Sequence, residues 1–366
     1  MAKKRSRQAR ATSAKPRRSR TPSRAKKTMT AAAGPVTLAQ ARALATVRAP
    51  LARGAKAALV TTSPASVGLE RRKLELQQNQ ERRRRTKEYT ATLAIMKKRG
   101  VKGLAPKAAK GRGALRAAAK PLQVFAEGDS WFDYPVPFFG GGIIPRLENQ
   151  LGVPILNLAK AGDQVRYMLG VAERKLLIEQ FTNGCPAGGP WDAMLFSGGG
   201  NDVVDNPMAL WIRDFNPTLP PAAQIHQARL DAALALVRAG YEDLIGLRDR
   251  LSPQTHLFLH CYDFAIPDGR GICFLGPWLK PTFDLRGFPT QAAAFEVMKI
   301  LLKQFAALLE SLESSHPKVT FINGQGTLVP TPRSWHNELH PAKSGFEAFA
   351  TLFHDALKSV FPNQVL

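Results

Sequence analysis

Across 366 residues there are only three cysteines, Cys185, Cys261 and Cys273, and no two of them form a Cys-x-x-Cys pair. That argues against a disulfide framework and a cysteine-rich zinc module, and leaves reduced, mostly buried thiols as the expectation. Long apolar runs are missing too. The stretch "ALATVRAPLARGAKAALV" is broken by Arg and Lys and cannot span a bilayer. The basic start never gives way to an apolar segment with a small-residue cleavage site, so no secretory leader is read and a cytoplasmic location of bacterial type is expected. The first third is short of two further things. Residues 1–120 hold no aromatic side chain except Tyr89, and only four acids (Glu70, Glu75, Glu81, Glu88) against 33 Lys and Arg.

The chain's formal net charge of +24 therefore belongs wholly to that first third, and the remainder is slightly acidic. A segment so poor in large apolar residues cannot offset the entropy of ordering its backbone, so residues 1–118 read as a largely disordered basic extension. One stretch differs. Residues 67–100 lack proline, are rich in helix formers and end on Gly100, which predicts a helix. Two roles fit the extension: a solvated segment that aids solubility, or a non-specific contact with nucleic acid or an anionic membrane. Without interleaved aromatics, base-specific recognition is not expected. Removal of residues 1–115 is expected to leave the rest folded.

From residue 119 to 366 the pattern changes to short apolar runs alternating with longer amphipathic ones. "LQVFAEG", "VPILNLA", "DAMLFSGG", "THLFLHCYD" and "KVTFING" read as buried strands, and 222–251, 290–314 and 341–360 as helices. Such alternation implies an α/β three-layer sandwich, with a central, roughly five-stranded parallel sheet and helices on both faces. Ligands of such sheets sit beyond the carboxyl ends of the strands, where the unusual polar segments fall here. "GDS" follows the first strand, "AKAGD" the second and "GGGND" the third, while "WHNELHP" precedes the last helix.

Each block alone is an ordinary turn or glycine-rich loop. In this order, "FAEGDSW" (Gly128, Asp129, Ser130), "LNLAKAGDQ" (Gly162), "FSGGGND" (Gly199, Asn201, Asp202) and "HNELHP" (His340), they resemble the blocks of the SGNH/GDSL hydrolase superfamily. The resemblance implies an ester hydrolase that needs no cofactor. In it, Ser130 attacks the carbonyl and His340 is the general base. The backbone N–H groups of Ser130 and Gly162, with the Asn201 amide, hold the oxyanion, and Asp129 and Asp202 support the loops. The superfamily includes lipases, carboxylesterases and sugar deacetylases, so the acyl group and alcohol are left open.

One position departs from that pattern. Where the superfamily has an acid three residues before the base, this chain has Asn337. Two arrangements are open: a Ser130–His340 dyad steadied by a backbone carbonyl, which is favoured, or a rebuilt triad using Glu338. The departure, with the basic extension, also allows a second class of function, a degenerate hydrolase domain that binds polyanions. A zinc site at His336 and His340 is disfavoured, because no Glu directly follows His336 and Pro341 works against a shared helical face. Trp131, Phe138, Phe139, Phe264 and Trp278, on two aromatic loops at the same edge, are candidate walls of a substrate pocket, and Arg270 is a candidate for meeting a substrate anion.

Overall fold

The structure, a computed structural model, describes residues 35–45, 64–101, 120–134, 141–271 and 276–365. In chain order the elements are helices α1 (Leu38–Ala45) and α2 (Pro64–Arg99), strand β1 (Val124–Gly128), α3 (Ile143–Leu151), β2 (Ile155–Asn157), α4 (Val165–Met168), α5 (Val171–Asn183), β3 (Ala193–Ser197) and α6 (Gly200–Val203). They continue with α7 (Gln227–Leu251), β4 (His256–His260), α8 (Lys280–Leu285), α9 (Gln291–Ser315), β5 (Val319–Ile322) and α10 (Lys343–Val360).

The five strands form one parallel sheet in the order β2-β1-β3-β4-β5. This is the doubly wound arrangement in which the chain reverses direction at β1, opening a crevice at the carboxyl ends of β1 and β3. Strands buried on both faces must be apolar throughout, and β1, β2 and β3 are buried along their whole length. Two helical layers cover the sheet: α3 packs on α10, while α5 packs on α7 and α7 on α9. The face of α10 that carries Phe346, Phe349, Phe353 and Leu357 is buried, as its 3.6-residue spacing predicts. The predicted strands and helices are all present, with ends displaced by a few residues.

β1 carries one residue that the apolar pattern does not explain. Glu127 is fully buried in mid-sheet, and burial pushes its carboxyl up to about 7, against the pull of Arg82. Arg82 comes from α2 and is itself buried. Its Nη2 lies 3.0 and 3.2 Å from the two Glu127 carboxylate oxygens, its Nη1 pairs with Glu173, and its Nε donates to the Leu158 carbonyl. One turn further on, Arg85 donates to the Asn157 carbonyl at 3.2 Å and pairs with Asp133 at 3.2 Å. Tyr89, Leu93 and Met96 of α2, with Leu38 and Ala41 of α1, join the hydrophobic core.

The expected division at 118/119 therefore does not follow the packing. The described residues form one compact unit, and α2 crosses the carboxyl end of the edge strand β2 as part of it. The sequence misled because α2 is polar nearly all round: two of its arginines are inward-facing partners of buried acids and carbonyls. The disorder expected for the rest of the extension falls on residues 1–34, 46–63 and 102–118, outside the described residues.

Removing one partner of a buried ion pair strands the other charge, at a cost of about 3–5 kcal/mol. Arg82→Met should therefore lower the unfolding free energy by roughly that amount in urea titrations. A chain beginning at residue 116, which loses the apolar contacts as well, should be less stable still. An unchanged urea midpoint in Arg82→Met would show that α2 does not hold Glu127.

Candidate active site

The polar blocks meet at the carboxyl edge of the sheet. Ser130 stands in the tight turn that leaves β1, where Phe132 N–H and Asp133 N–H both donate to the Asp129 carbonyl. Its Oγ is 2.7 Å from Nε2 of His340, which arrives from the loop before α10. Trp131 ties the two loops together by donating its indole N–H to the Leu339 carbonyl at 3.1 Å.

Behind the imidazole lies Asn337. Its Oδ1 accepts the backbone N–H of Leu339 (3.0 Å) and of His340 (2.9 Å), and sits 2.9 Å from His340 Nδ1. Two backbone donors on the same atom require that atom to be the amide oxygen, which settles the orientation of the amide. His340 Nδ1 must then carry the hydrogen, and Nε2 presents its lone pair to the Ser130 hydroxyl. Asn337 Nδ2 donates to the Tyr134 hydroxyl at 3.1 Å, and that hydroxyl meets His336 Nδ1 at 2.8 Å. An Asp-to-Asn change in a triad is damaging because the amide selects the wrong tautomer. Here the pinned amide selects the right one, and only the stabilisation of the imidazolium by a full negative charge is missing. Neither arrangement expected from the sequence is what the structure has: the acceptor is a side-chain carbonyl.

Glu338 points elsewhere. Its buried carboxylate accepts four backbone N–H groups, from Gly269 (2.9 Å), Trp278 (2.5 Å), Leu279 (2.8 Å) and Lys280 (2.9 Å). It organises the loop between β4 and α8. Arg270 is likewise engaged, with Nε on Asp268 at 2.7 Å and Nη1 on the Trp335 carbonyl at 2.7 Å, so it braces the base loop rather than facing the cleft.

Gly162 and Asn201 lie on adjacent loops that lock together. Asn201 Nδ2 donates to the Asp163 carbonyl at 2.8 Å, Gln164 Nε2 to the Asn201 carbonyl at 2.7 Å, and Val165 N–H to Asp202 at 2.8 Å. Gly162 has φ +81°, a conformation that strains any residue with a Cβ. Gly199, at φ +97°, has no room for a side chain, since a Cβ would sit 2.6 Å from the Phe305 ring.

A cavity of about 30 Å³ adjoins Ser130, His340 and Asn201, walled by Trp131, Val204, Ala265, Leu302 and Leu339. Of the predicted pocket residues, Trp131 lines it and Trp278 stands beside the base, with ring centroids 5.8 Å apart. Phe264 packs against the core instead, and Phe138 and Phe139 lie outside the described residues. A larger cavity of about 370 Å³ lies between α2 and the sheet edge, away from these residues.

No protein-family model matches the chain, and no curated protein matches it. Among solved structures, it is similar to the lipase Lip_vut3 from a goat rumen metagenome (17% identity, TM-score 0.43, covering 64% of this chain and 97% of that one). It is also similar to an extracellular lipase of Streptomyces rimosus (15%, 0.40, 64% and 99%) and to a family 3 carbohydrate esterase of Clostridium thermocellum (15%, 0.38, 68% and 100%). The likeness is one of fold.

Sequence reading missed Tyr134, Arg82 and Glu127, as well as Ser197, His260 and Tyr262, which lie beneath the nucleophile. The signal for Ser197 and His260 was present: each is a polar residue at the carboxyl end of an otherwise apolar strand.

Burial, helped by the nearby His336, pushes His340 down from its usual value to about 3. The neutral imidazole is the form that can take a proton, and burial keeps His340 in that form well below the ordinary histidine range. The pH profile of kcat/KM should stay flat from roughly pH 7 to pH 5. Asn337→Asp places a carboxylate against Nδ1, favours the imidazolium, and should move the acidic limb of that profile to higher pH. An unshifted limb in Asn337→Asp would mean that residue 337 does not govern the imidazole.

Proposed function

We propose that the protein is a serine hydrolase of the SGNH/GDSL type that cleaves esters of short acyl groups. The observation that carries this reading is the Ser130–His340–Asn337 line, with two short hydrogen bonds and a tautomer fixed by backbone donors. His340 Nε2 takes the hydroxyl proton as Ser130 Oγ attacks the carbonyl carbon. The oxyanion is held by the backbone N–H groups of Ser130 and Gly162 and by the Asn201 amide. The proton then passes from His340 to the departing alcohol. Water, activated by the same imidazole, hydrolyses the acyl-enzyme. The small, mostly apolar cavity beside Ser130 supports a short acyl chain such as acetyl.

The alternative, a degenerate domain that only binds polyanions, predicts that the serine and base have drifted apart, and the 2.7 Å contact counts against it. A role for the basic extension at nucleic acid or an anionic membrane remains compatible with an active enzyme.

Wild type should hydrolyse p-nitrophenyl acetate faster than the octanoate, and Ser130→Ala should be no faster than buffer. Equal rates for wild type and Ser130→Ala would end the hydrolase reading. A preference for octanoate would end only the short-acyl part. Asn201→Ala should cut kcat by about 10²–10³ with little change in the unfolding midpoint, as expected for one oxyanion donor. A loss below about threefold would place Asn201 off the oxyanion, since that is far short of such a donor's usual contribution.

A further inference from the structure

Directly beneath the nucleophile, three polar side chains from the ends of adjacent strands touch in a row. Asp129 just past β1, Ser197 at the end of β3 and His260 at the end of β4 are all buried. Ser197 Oγ lies 2.9 Å from Asp129 Oδ1 and 2.8 Å from His260 Nε2. His260 Nδ1 is 3.0 Å from the Cys261 carbonyl. Asp129 also accepts the Trp131 N–H at 3.0 Å and meets the Tyr262 hydroxyl at 2.5 Å. His260 is otherwise enclosed by rings: it stacks on Phe132 and meets Trp131, Tyr262, Phe349 and Phe353 at steeper angles.

Counting hydrogens decides what this row can be. The Cys261 carbonyl only accepts, so His260 Nδ1 carries a hydrogen. Ser197 has one hydroxyl hydrogen and two polar neighbours on its oxygen. If it donates to Asp129, then Nε2 must donate to Ser197, and His260 is an imidazolium facing a carboxylate through the serine. If it donates to Nε2, then Asp129 must donate to Ser197, and both ends are neutral. The two states hold the same number of protons and differ by a shift of two hydrogens along the row. A carboxylate with a neutral imidazole would leave one buried contact with no hydrogen in it, which is costly in an apolar surrounding.

We propose that Asp129, Ser197 and His260 form one buried proton-sharing row that holds a single proton between its two ends, so that the row beside the nucleophile carries no net charge while the oxyanion forms. Burial pushes Asp129 up to about 6 and His260 down to about 4, so taken singly the two ends are both neutral only between those values, and it is the hydrogen bonding through Ser197 that must extend this window to neutral pH. The consequence for turnover rests on the hydrolase reading. The Ser130 N–H that would hold the oxyanion belongs to the peptide joining it to Asp129, and an uncompensated carboxylate there would repel the developing negative charge. His260 is thus a positioning residue: it touches no substrate and acts through the charge of Asp129.

The test has two arms, both on the full-length chain. NMR of the wild-type Asp129 carboxyl and His260 imidazole should show either a protonated carboxyl with a neutral ring or a carboxylate with an imidazolium. A carboxylate beside a neutral ring overturns the proposal. In the kinetic arm, His260→Gln removes the proton's second home, so Asp129 becomes a plain carboxylate satisfied by Ser197. The kcat for p-nitrophenyl acetate should fall about tenfold or more with KM little changed, since one nearby charge is worth at least that. Asp129→Asn in the His260→Gln background restores a neutral neighbour and should recover most of the loss. A double variant no faster than His260→Gln, though folded as judged by its unfolding midpoint, overturns the proposal. A wild type no faster than Ser130→Ala would defeat the hydrolase reading while leaving the NMR arm to judge the shared proton.

Discussion

The buried guanidinium of Arg82 is the contact on which the arrangement of this chain turns. It satisfies an acid in the middle of the sheet, an acid on α5 and a carbonyl at the end of the edge strand, all from a helix far upstream. Without it, Glu127 would be an unpaired carboxylate one residue before the Gly-Asp-Ser turn. Gly128 N–H also donates to Glu127, at 3.0 Å, so the acid that α2 holds in place is the same acid that anchors the backbone leading to Ser130. Stability and the placement of Ser130 therefore share one ion pair.

A similar economy runs through the base loop. Two neighbouring residues, Asn337 and Glu338, use their side chains as acceptors for different backbones. Asn337 folds the loop back on itself and fixes the His340 tautomer, while Glu338 gathers four N–H groups of the segment between β4 and α8. Trp131 then bolts this unit to the nucleophile turn. His340 is thus held by polar contacts both from its own loop and from the turn after β1.

Much of this was legible in the sequence, and what was not has a physical reason. Strands and helices announced themselves because a buried parallel strand is apolar throughout and an amphipathic helix repeats every 3.6 residues. Ser130, His340 and Asn201 stood out because four short blocks occur in the order that resembles the SGNH/GDSL superfamily, although each block alone is an ordinary turn or loop. Asn337 was noticed, but only coordinates could show which end of its amide faces the ring. α2 was recognised as a helix and assigned to the wrong domain. Its docking combines long-range pairs such as Arg82 with Glu127, which leave no periodic trace, with one short apolar stripe, Tyr89, Leu93 and Met96, that is outweighed in a helix crowded with arginine.

The pairing of Arg82 with Glu173 joins residues 91 positions apart, and the helix is made first. During synthesis on the ribosome, α2 emerges well before the strand and helix that receive it. At ordinary elongation rates that interval is roughly 5–20 s. Until then its arginines have no buried acids to meet and its one apolar stripe, Tyr89, Leu93 and Met96, has no core to join. The pairs that hold α2 can form only once β1 and α5 have followed it.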